Sequence, residues 1–179
     1  MLELWRAIAA YAEADDPRLA AANRLALLVA SNQPFYPLYI RALVGDDGWT
    51  STLTFLSTPF FLAVPYVGRR WPIIARMMLP LVGAANSFLA AKAFGAASGA
   101  ELFLCPCAII AALAFGRGER RPMLAVVGAL LAMLLIFHDR LGAPLHVFSA
   151  QQYSALLNLN LWSAAGLSAL VAWQFSSES

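Results

Sequence analysis

The sequence predicts an all-α, polytopic membrane protein with six transmembrane helices. Of its 179 residues, 61% are hydrophobic and only 12% are charged, and the mean hydropathy is +0.68. Soluble domains contain ~45–50% apolar and ~25% charged residues. Windows without charge locate six segments close to the ~20 residues that cross a bilayer as a helix. The predicted spans are roughly 22–42, 48–67, 72–94, 99–116, 122–139 and 152–175.

Basic residues give the predicted orientation. Cytoplasmic loops of membrane proteins carry an excess of Lys and Arg. One side of the predicted bundle carries Arg6, Arg18, Arg24, Arg69, Arg70, Arg76, Arg117, Arg120 and Arg121, and the other carries Arg41, Lys92 and Arg140. We therefore expect both termini in the cytoplasm, in a multi-pass protein of the bacterial inner membrane surrounded by membrane lipids.

The chain ends are predicted to be short cytoplasmic segments. Residues 1–16 are expected to form an amphipathic helix on the inner leaflet, because their apolar stretch is too short and interrupted for a signal peptide. Its apolar face consists of Leu2, Leu4, Trp5 and Ile8. Residues 17–175 then make up the transmembrane domain, and residues 176–179 form a tail.

Composition excludes several functions for these residues alone. Six spans use ~120 residues, so the loops and tails are too small for a soluble catalytic domain. No H-E-x-x-H or G-x-S-x-G motif is present. We therefore expect no catalytic residue in these 179 residues. A net charge of +2 with scattered basic residues also gives no nucleic-acid footprint.

Polar residues concentrate in the outer half of the predicted bundle, whereas the inner half is almost purely aliphatic and aromatic. Polar side chains in hydrocarbon need partners, so they should face the bundle interior. They either hold helices together or line an outward-opening pocket for a small apolar or amphiphilic ligand. The candidate ligand-binding residues are Asn32, Gln33, Tyr36, Tyr39, Thr54, Ser57, Asn86, Glu101, His138 and Asn158. A small transporter is disfavoured, because alternating access needs a polar route to both faces.

A metal-binding or redox protein is the main alternative. The Cys105-Pro106-Cys107 element offers two soft ligands for copper or zinc. Residues two apart on a helix point ~200° apart, however, so both sulfurs reach one ion only if the turn unwinds. A second candidate cluster at the outer edge consists of Glu101, His138, Asp139 and His146. Since both histidines lie at this edge, a bis-histidine haem inside the bundle is disfavoured.

A family resemblance adds to these predictions. The fourth span contains Gly99-Ala-Glu-Leu-Phe-Leu104, and its exit reads Ala114-Phe-Gly-Arg-Gly-Glu-Arg-Arg121. With the six-span plan and basic inner turns, these segments resemble the N-terminal membrane region of bacterial signalling proteins. In that group the region precedes a class III adenylyl cyclase, a diguanylate cyclase or a histidine kinase domain. A more distant similarity is to six-helix quorum-sensing receptor kinases.

The resemblance implies a sensor or receptor module. According to this resemblance, the pocket residues would detect a ligand. The sixth helix would regulate a cytoplasmic output domain in a homodimer, and an adenylyl cyclase is the favoured output. The chain ends at Ser179, where that group enters its signalling helix, so we expect either that the output domain is missing from this sequence or that the protein acts through a separate partner. The Cys-Pro-Cys element is not part of the resemblance.

Overall fold

The computed structural model describes residues 2–176, which form helices and turns with no strand among them. The α-helices are α1 (Leu2–Ala12), α2 (Pro17–Asn32), α3 (Tyr36–Val44), α4 (Thr58–Gly68), α5 (Pro72–Phe94), α6 (Leu104–Leu113), α7 (Arg120–Phe137) and α8 (Ala150–Ser176). Three 3-10 segments cover Gly45–Ser57, Ala96–Ser98 and Ala100–Phe103.

Three of the described helices, α5, α7 and α8, are long and apolar enough to cross a membrane. The shorter Ala100–Leu113 segment is also apolar. The chain is therefore all-helical and membrane-protein-like, as its composition predicts.

Helix starts follow local sequence signals. The Asp16 side chain accepts a hydrogen bond from Arg18 N and caps α2, whose first residue is Pro17. Proline suits a first helical turn, where its missing N–H has no intrahelical partner to lose. Ser149 and Gln152 exchange two side-chain hydrogen bonds with each other's backbone N–H at the start of α8. This reciprocal pair is a capping box.

The first predicted span, 22–42, is interrupted in the structure. It divides into α2 and α3, with a turn at residues 33–35. Pro34 and Pro37 each lack the N–H that a continuous helix would use. The interruption brings Gln33 to a buried position and leaves Tyr36 half-buried at the start of α3.

The second predicted span, 48–67, begins as 3-10 helix and continues as α4. Two hydroxyl groups, those of Ser51 and Thr54, each donate to the carbonyl three residues earlier. Ser57 Oγ lies 2.7 Å from the next carbonyl in this series, that of Thr54. Side chains at this spacing lie above one another in a 3-10 helix. Hydroxyl bonding to the backbone therefore accompanies the tighter winding of this segment.

α5 is the central helix of the bundle. It contacts α2, α4, α6, α7 and all three 3-10 segments, while α8 contacts α2, α3 and α6. Arg76, near the start of α5, reaches Asp16 and Ala114, so the start of α2 and the end of α6 lie at this "Arg76 end". Lys92 bonds the carbonyls of Leu141 and Ala143, which follow α7 at the opposite "Lys92 end".

Two predictions about the termini fall partly outside the described residues. α1 covers most of the predicted N-terminal helix, but the side chains of Leu2, Leu4 and Trp5 are not among those described. Of the predicted tail, residues 177–179 lie outside the described range.

Candidate functional site

A cavity of about 520 Å³ lies between α2–α3, α5, α6 and α8. This volume is within the ~300–1,000 Å³ typical of small-molecule sites. Its apolar walls include Leu79 of α5, Ile110 of α6 and Leu170 of α8. The cavity thus brings together residues that are widely separated in the sequence.

A polar cluster of three buried or half-buried side chains borders this cavity. Gln33 Nε2 donates to Ser57 Oγ at 2.9 Å, and Ser57 Oγ lies 2.9 Å from Asn86 Oδ1, to which it can donate. The cluster joins the α2–α3 turn, the start of α4 and the middle of α5. Because buried polar groups are costly without partners, it fixes these three elements relative to one another.

A second hydrogen-bonded chain links α3 to α8. Tyr36 donates from its hydroxyl to Asn160 Oδ1 at 3.1 Å, and Asn160 Nδ2 donates to the carbonyl of Ser98 at 2.9 Å. Asn160 and Ser98 are fully buried. The amide of Asn160 therefore fixes α8 against both α3 and the turn that precedes α6.

The structure distributes the predicted ligand-binding residues between the cavity and other positions. Those lining the cavity are Asn32, Gln33, Tyr36, Tyr39, Thr54 and Asn86. Ser57 lies behind Gln33 and Asn86 and bonds to both. Glu101, His138 and Asn158 do not line it.

On α8, the buried polar residue is Asn160 rather than Asn158, which is exposed. Successive residues of a helix are rotated by ~100°, so these two asparagines point to nearly opposite sides. The buried positions Leu156, Asn160 and Ala164 follow one another at a spacing of four. This spacing places Asn160 on the buried side of α8, whereas the sequence alone does not distinguish the two asparagines.

The comparison with protein families decides what kind of domain this is. The MASE7 family model matches residues 9–175. The chain belongs to the MASE7 family. MASE domains are membrane-associated sensory domains of bacterial signalling proteins, in agreement with the resemblance described above. No curated protein matches the chain, and no solved structure matches it.

The cluster predicted at the outer edge forms a surface ion pair in this MASE7 domain. His138 Nδ1 lies 2.7 Å from Glu101 Oε2, and His138 Nε2 lies 3.2 Å from Asp139 Oδ2. The hydrogen bond that His138 donates to Glu101, with the negative charges of both carboxylates, raises the pKa of His138 above its ordinary value. His146 lies apart, 3.8 Å from Asp47.

The other end of the MASE7 domain contains a buried arginine that the sequence does not single out. Arg76 is only 3% exposed. Its guanidinium bonds both carboxylate oxygens of Glu119 and the carbonyl of Ala114, and lies 3.6 Å from Asp16 Oδ2. Hydrogen bonding from Arg76 lowers the pKa of Glu119, with a smaller contribution from Gly116 N–H.

The two cysteines of the MASE7 domain occupy different surroundings. Cys105 is exposed, whereas Cys107 is buried and borders the cavity next to Gly83. Within residues 2–176, no group of three His, Cys, Asp or Glu side chains is placed to hold a metal ion. The Cys-Pro-Cys element thus presents its two sulfurs in different directions along α6, as helical spacing predicts.

Proposed function

We propose that this MASE7 domain is a ligand sensor that spans the bacterial inner membrane six times and regulates a cytoplasmic output domain, an adenylyl cyclase. In this proposal a small apolar or amphiphilic ligand binds in the cavity between α2–α3, α5, α6 and α8. The observation that carries the proposal is that α8 forms one wall of that cavity and is hydrogen-bonded through Asn160 to two other elements.

The topology part of the proposal is supported by how the helix ends meet. The starts of α2 and α5 and the end of α6 gather around Arg76, and the ends of α5 and α7 meet around Lys92. Helix ends grouped at two opposite sides are expected of a bundle that crosses the membrane several times. The basic residues of the turns concentrate at the Arg76 end. By the positive-inside rule, we place that end and both termini in the cytoplasm.

The signalling mechanism we propose is a population shift of α8. A ligand shifts such an equilibrium only through its different affinities for the two states. Contact with Trp162, Ser163 or Leu167 on the cavity side of α8 gives the ligand a direct way to favour one packing. In a homodimer, the change at the C-terminal end of α8 would alter how two output domains meet.

The experiment expresses the full-length gene product in bacteria that lack their own adenylyl cyclase and measures cyclic AMP. Asn160→Leu removes the hydrogen bonds that join α8 to Tyr36 and Ser98. A lost hydrogen bond of ~1 kcal/mol changes a two-state equilibrium about fivefold, so we expect a cyclic AMP change of that order. The matched control is Asn158→Leu, which changes the exposed asparagine two residues earlier.

Tyr36→Phe is the milder second variant, because it removes one hydroxyl and leaves the ring in place. Equal cyclic AMP in all three variants and the wild type would refute regulation through α8. Formation of cyclic di-GMP, or phosphotransfer, in place of cyclic AMP would show that the output domain is not an adenylyl cyclase. The proposed sensor role would be unaffected.

A further inference from the structure

The mouth of the cavity lies on the side of the bundle. Its exposed lining residues all belong to 28–39 on α2–α3 and 162–166 on α8. The remaining lining residues, on other elements, are buried or half-buried. α8 has 27 residues, and Ser163 is its middle residue. At 1.5 Å per residue, the mouth is ~20 Å from either end of that helix.

Contacts close the slot between α2–α3 and α8 above and below the mouth. Toward the Lys92 end, Gln152 Nε2 of α8 donates to the carbonyl of Val44 of α3 at 3.1 Å. Toward the Arg76 end, α2 and α8 contact each other, and Leu25 of α2 and Val171 of α8 are both buried in one apolar core. A molecule reaching the cavity therefore passes through the flank of the bundle, which faces hydrocarbon in a membrane.

The lining carries no formal charge. Among the described residues that line the cavity there is no Asp, Glu, Lys, Arg or His. An ionised head group brought here would lose its hydration without gaining a counter-ion, which costs several kcal/mol. The surroundings thus favour a neutral ligand over an acid or an amine.

The polar cluster leaves one acceptor and one donor unused. Gln33 uses Nε2 and Asn86 uses Oδ1 in bonds to Ser57. In the described part of the chain, Gln33 Oε1 and Asn86 Nδ2 have no hydrogen-bond partner. Both residues line the cavity, so these two atoms are available to a ligand there. A hydroxyl group can donate to the first atom and accept from the second.

We infer that the ligand is a neutral amphiphile with a hydroxyl head, which enters sideways from the lipid between α2 and α8. Its hydroxyl bonds Gln33 and Asn86, and its alkyl chain lies along Leu79, Ile110 and Leu170. This inference rests on the proposed function, because it names the ligand class of the same cavity.

The first test measures ligand class by photolabelling. The wild-type domain in lipid nanodiscs is illuminated with a ten-carbon alcohol bearing a diazirine, and labelled residues are located by mass spectrometry. We expect saturable labelling of the cavity lining, including Leu79, Ile110 and Leu170, that 1-decanol displaces. Decyl sulfate and decyltrimethylammonium, which keep their charge, should compete at least about tenfold less well, as should decyl methyl ether, which cannot donate.

The second test blocks the mouth with a matched pair of glycine variants. Gly166 and Gly128 are both exposed helical glycines with open space at the Cβ position, but only Gly166 lines the cavity. Gly166→Trp should reduce specific labelling about tenfold or more, and Gly128→Trp on α7 should leave it unchanged. The doubly altered variant Gln33→Leu, Asn86→Leu should bind 1-decanol and the methyl ether equally.

The outcomes separate this inference from the proposed function. Equal competition by the charged amphiphiles, equal effects of the two tryptophan variants, or non-saturable labelling would overturn the inference. The competition experiments on the wild-type domain test the ligand class even if the Gln33→Leu, Asn86→Leu variant fails to fold. Saturable binding of the alcohol in the cavity without any change in output would instead overturn the sensor proposal. A charged ligand that changes output would overturn only the inference.

Discussion

Arg76 and Glu119 form a two-point ion pair that joins the central helix to the turn before α7. Arg76 Nη1 lies 2.9 Å from Glu119 Oε2, and Nη2 lies 2.6 Å from Oε1. Glu119 Oε2 also accepts from Gly116 N at 2.8 Å. Such bidentate pairs are stronger and more directional than single ion pairs. The position of the α6–α7 turn therefore depends on one buried guanidinium.

Removing the carboxylate from this pair should destabilise the domain. Breaking a buried ion pair costs ~3–5 kcal/mol when one partner is left uncompensated. Arg76 keeps Ala114 and Asp16 nearby, so we expect Glu119→Gln to cost ~3 kcal/mol or less, seen as a lower apparent Tm in detergent. The control is Asp46→Asn, which breaks the exposed Arg41–Asp46 pair and should change the Tm little. Equal losses in both variants would contradict a special role for Arg76.

The Glu101–His138 pair should make stability depend on pH. The folded-state pKa of His138 is raised above 6.5 by the hydrogen bond and charge of Glu101. Its stabilisation is therefore fully present below pH ~6.5 and is lost as pH rises through the raised pKa. We expect the apparent Tm to fall over that window in the wild type and in His146→Asn. Glu101→Gln should flatten the profile, and an unchanged slope in Glu101→Gln would contradict the assignment.

We predict that the Cys107 thiol leaves no room for a side chain larger than glycine at position 83. A Cβ placed on Gly83 would come within 2.7 Å of Cys107 Sγ. Overpacking of this kind costs ~1–3 kcal/mol, more than the helix propensity that alanine adds. Gly83→Ala should thus lower the apparent Tm, and adding Cys107→Ala should restore it. Gly128→Ala, at an open helical position, should be neutral or stabilising. Absence of rescue by Cys107→Ala would refute this explanation.

Lys92 is predicted to hold the turn that follows α7. Its ammonium donates to the carbonyls of Leu141 and Ala143 at 2.9 and 2.7 Å, and its own carbonyl accepts from Leu145 N. Hydrogen bonds from charged groups contribute ~1.5–3 kcal/mol. In Lys92→Met, amide hydrogen exchange at residues 141–145 should therefore accelerate about tenfold or more. Exchange should stay at the wild-type rate in Arg140→Gln, which changes the neighbouring exposed cation.

The membrane-protein class and several cavity residues could be predicted from the sequence because both depend on composition and local spacing. Charge-free runs identify apolar helices directly. The candidate ligand-binding residues Asn32, Tyr36 and Tyr39 border the cavity. The turn between α2 and α3, rather than one continuous helical face, brings these three residues to the same cavity.

Other features depend on tertiary contacts that single-sequence spacing does not contain. Arg76 is expected to reach an aqueous interface from its position near a helix end, but the turn of Glu119 folds over it and buries it. Asn158 and Asn160 are chemically identical and two residues apart, so only the partners Tyr36 and Ser98 distinguish them. Polarity alone likewise does not predict the 3-10 winding of Gly45–Ser57 or the hydroxyl bonds that accompany it.

α8 is a helix of 27 residues without proline, whereas α4 and α5 contain Pro65 and Pro80 in their interiors. Prolines allow hinges where a backbone hydrogen bond is missing. A helix without them bends little, so we expect a rotation imposed at Asn160 to be transmitted to Phe175, ~22 Å further along the axis. How far α8 can rotate, rather than how far it can bend, then limits how strongly a change at Asn160 affects the C-terminal end of the helix.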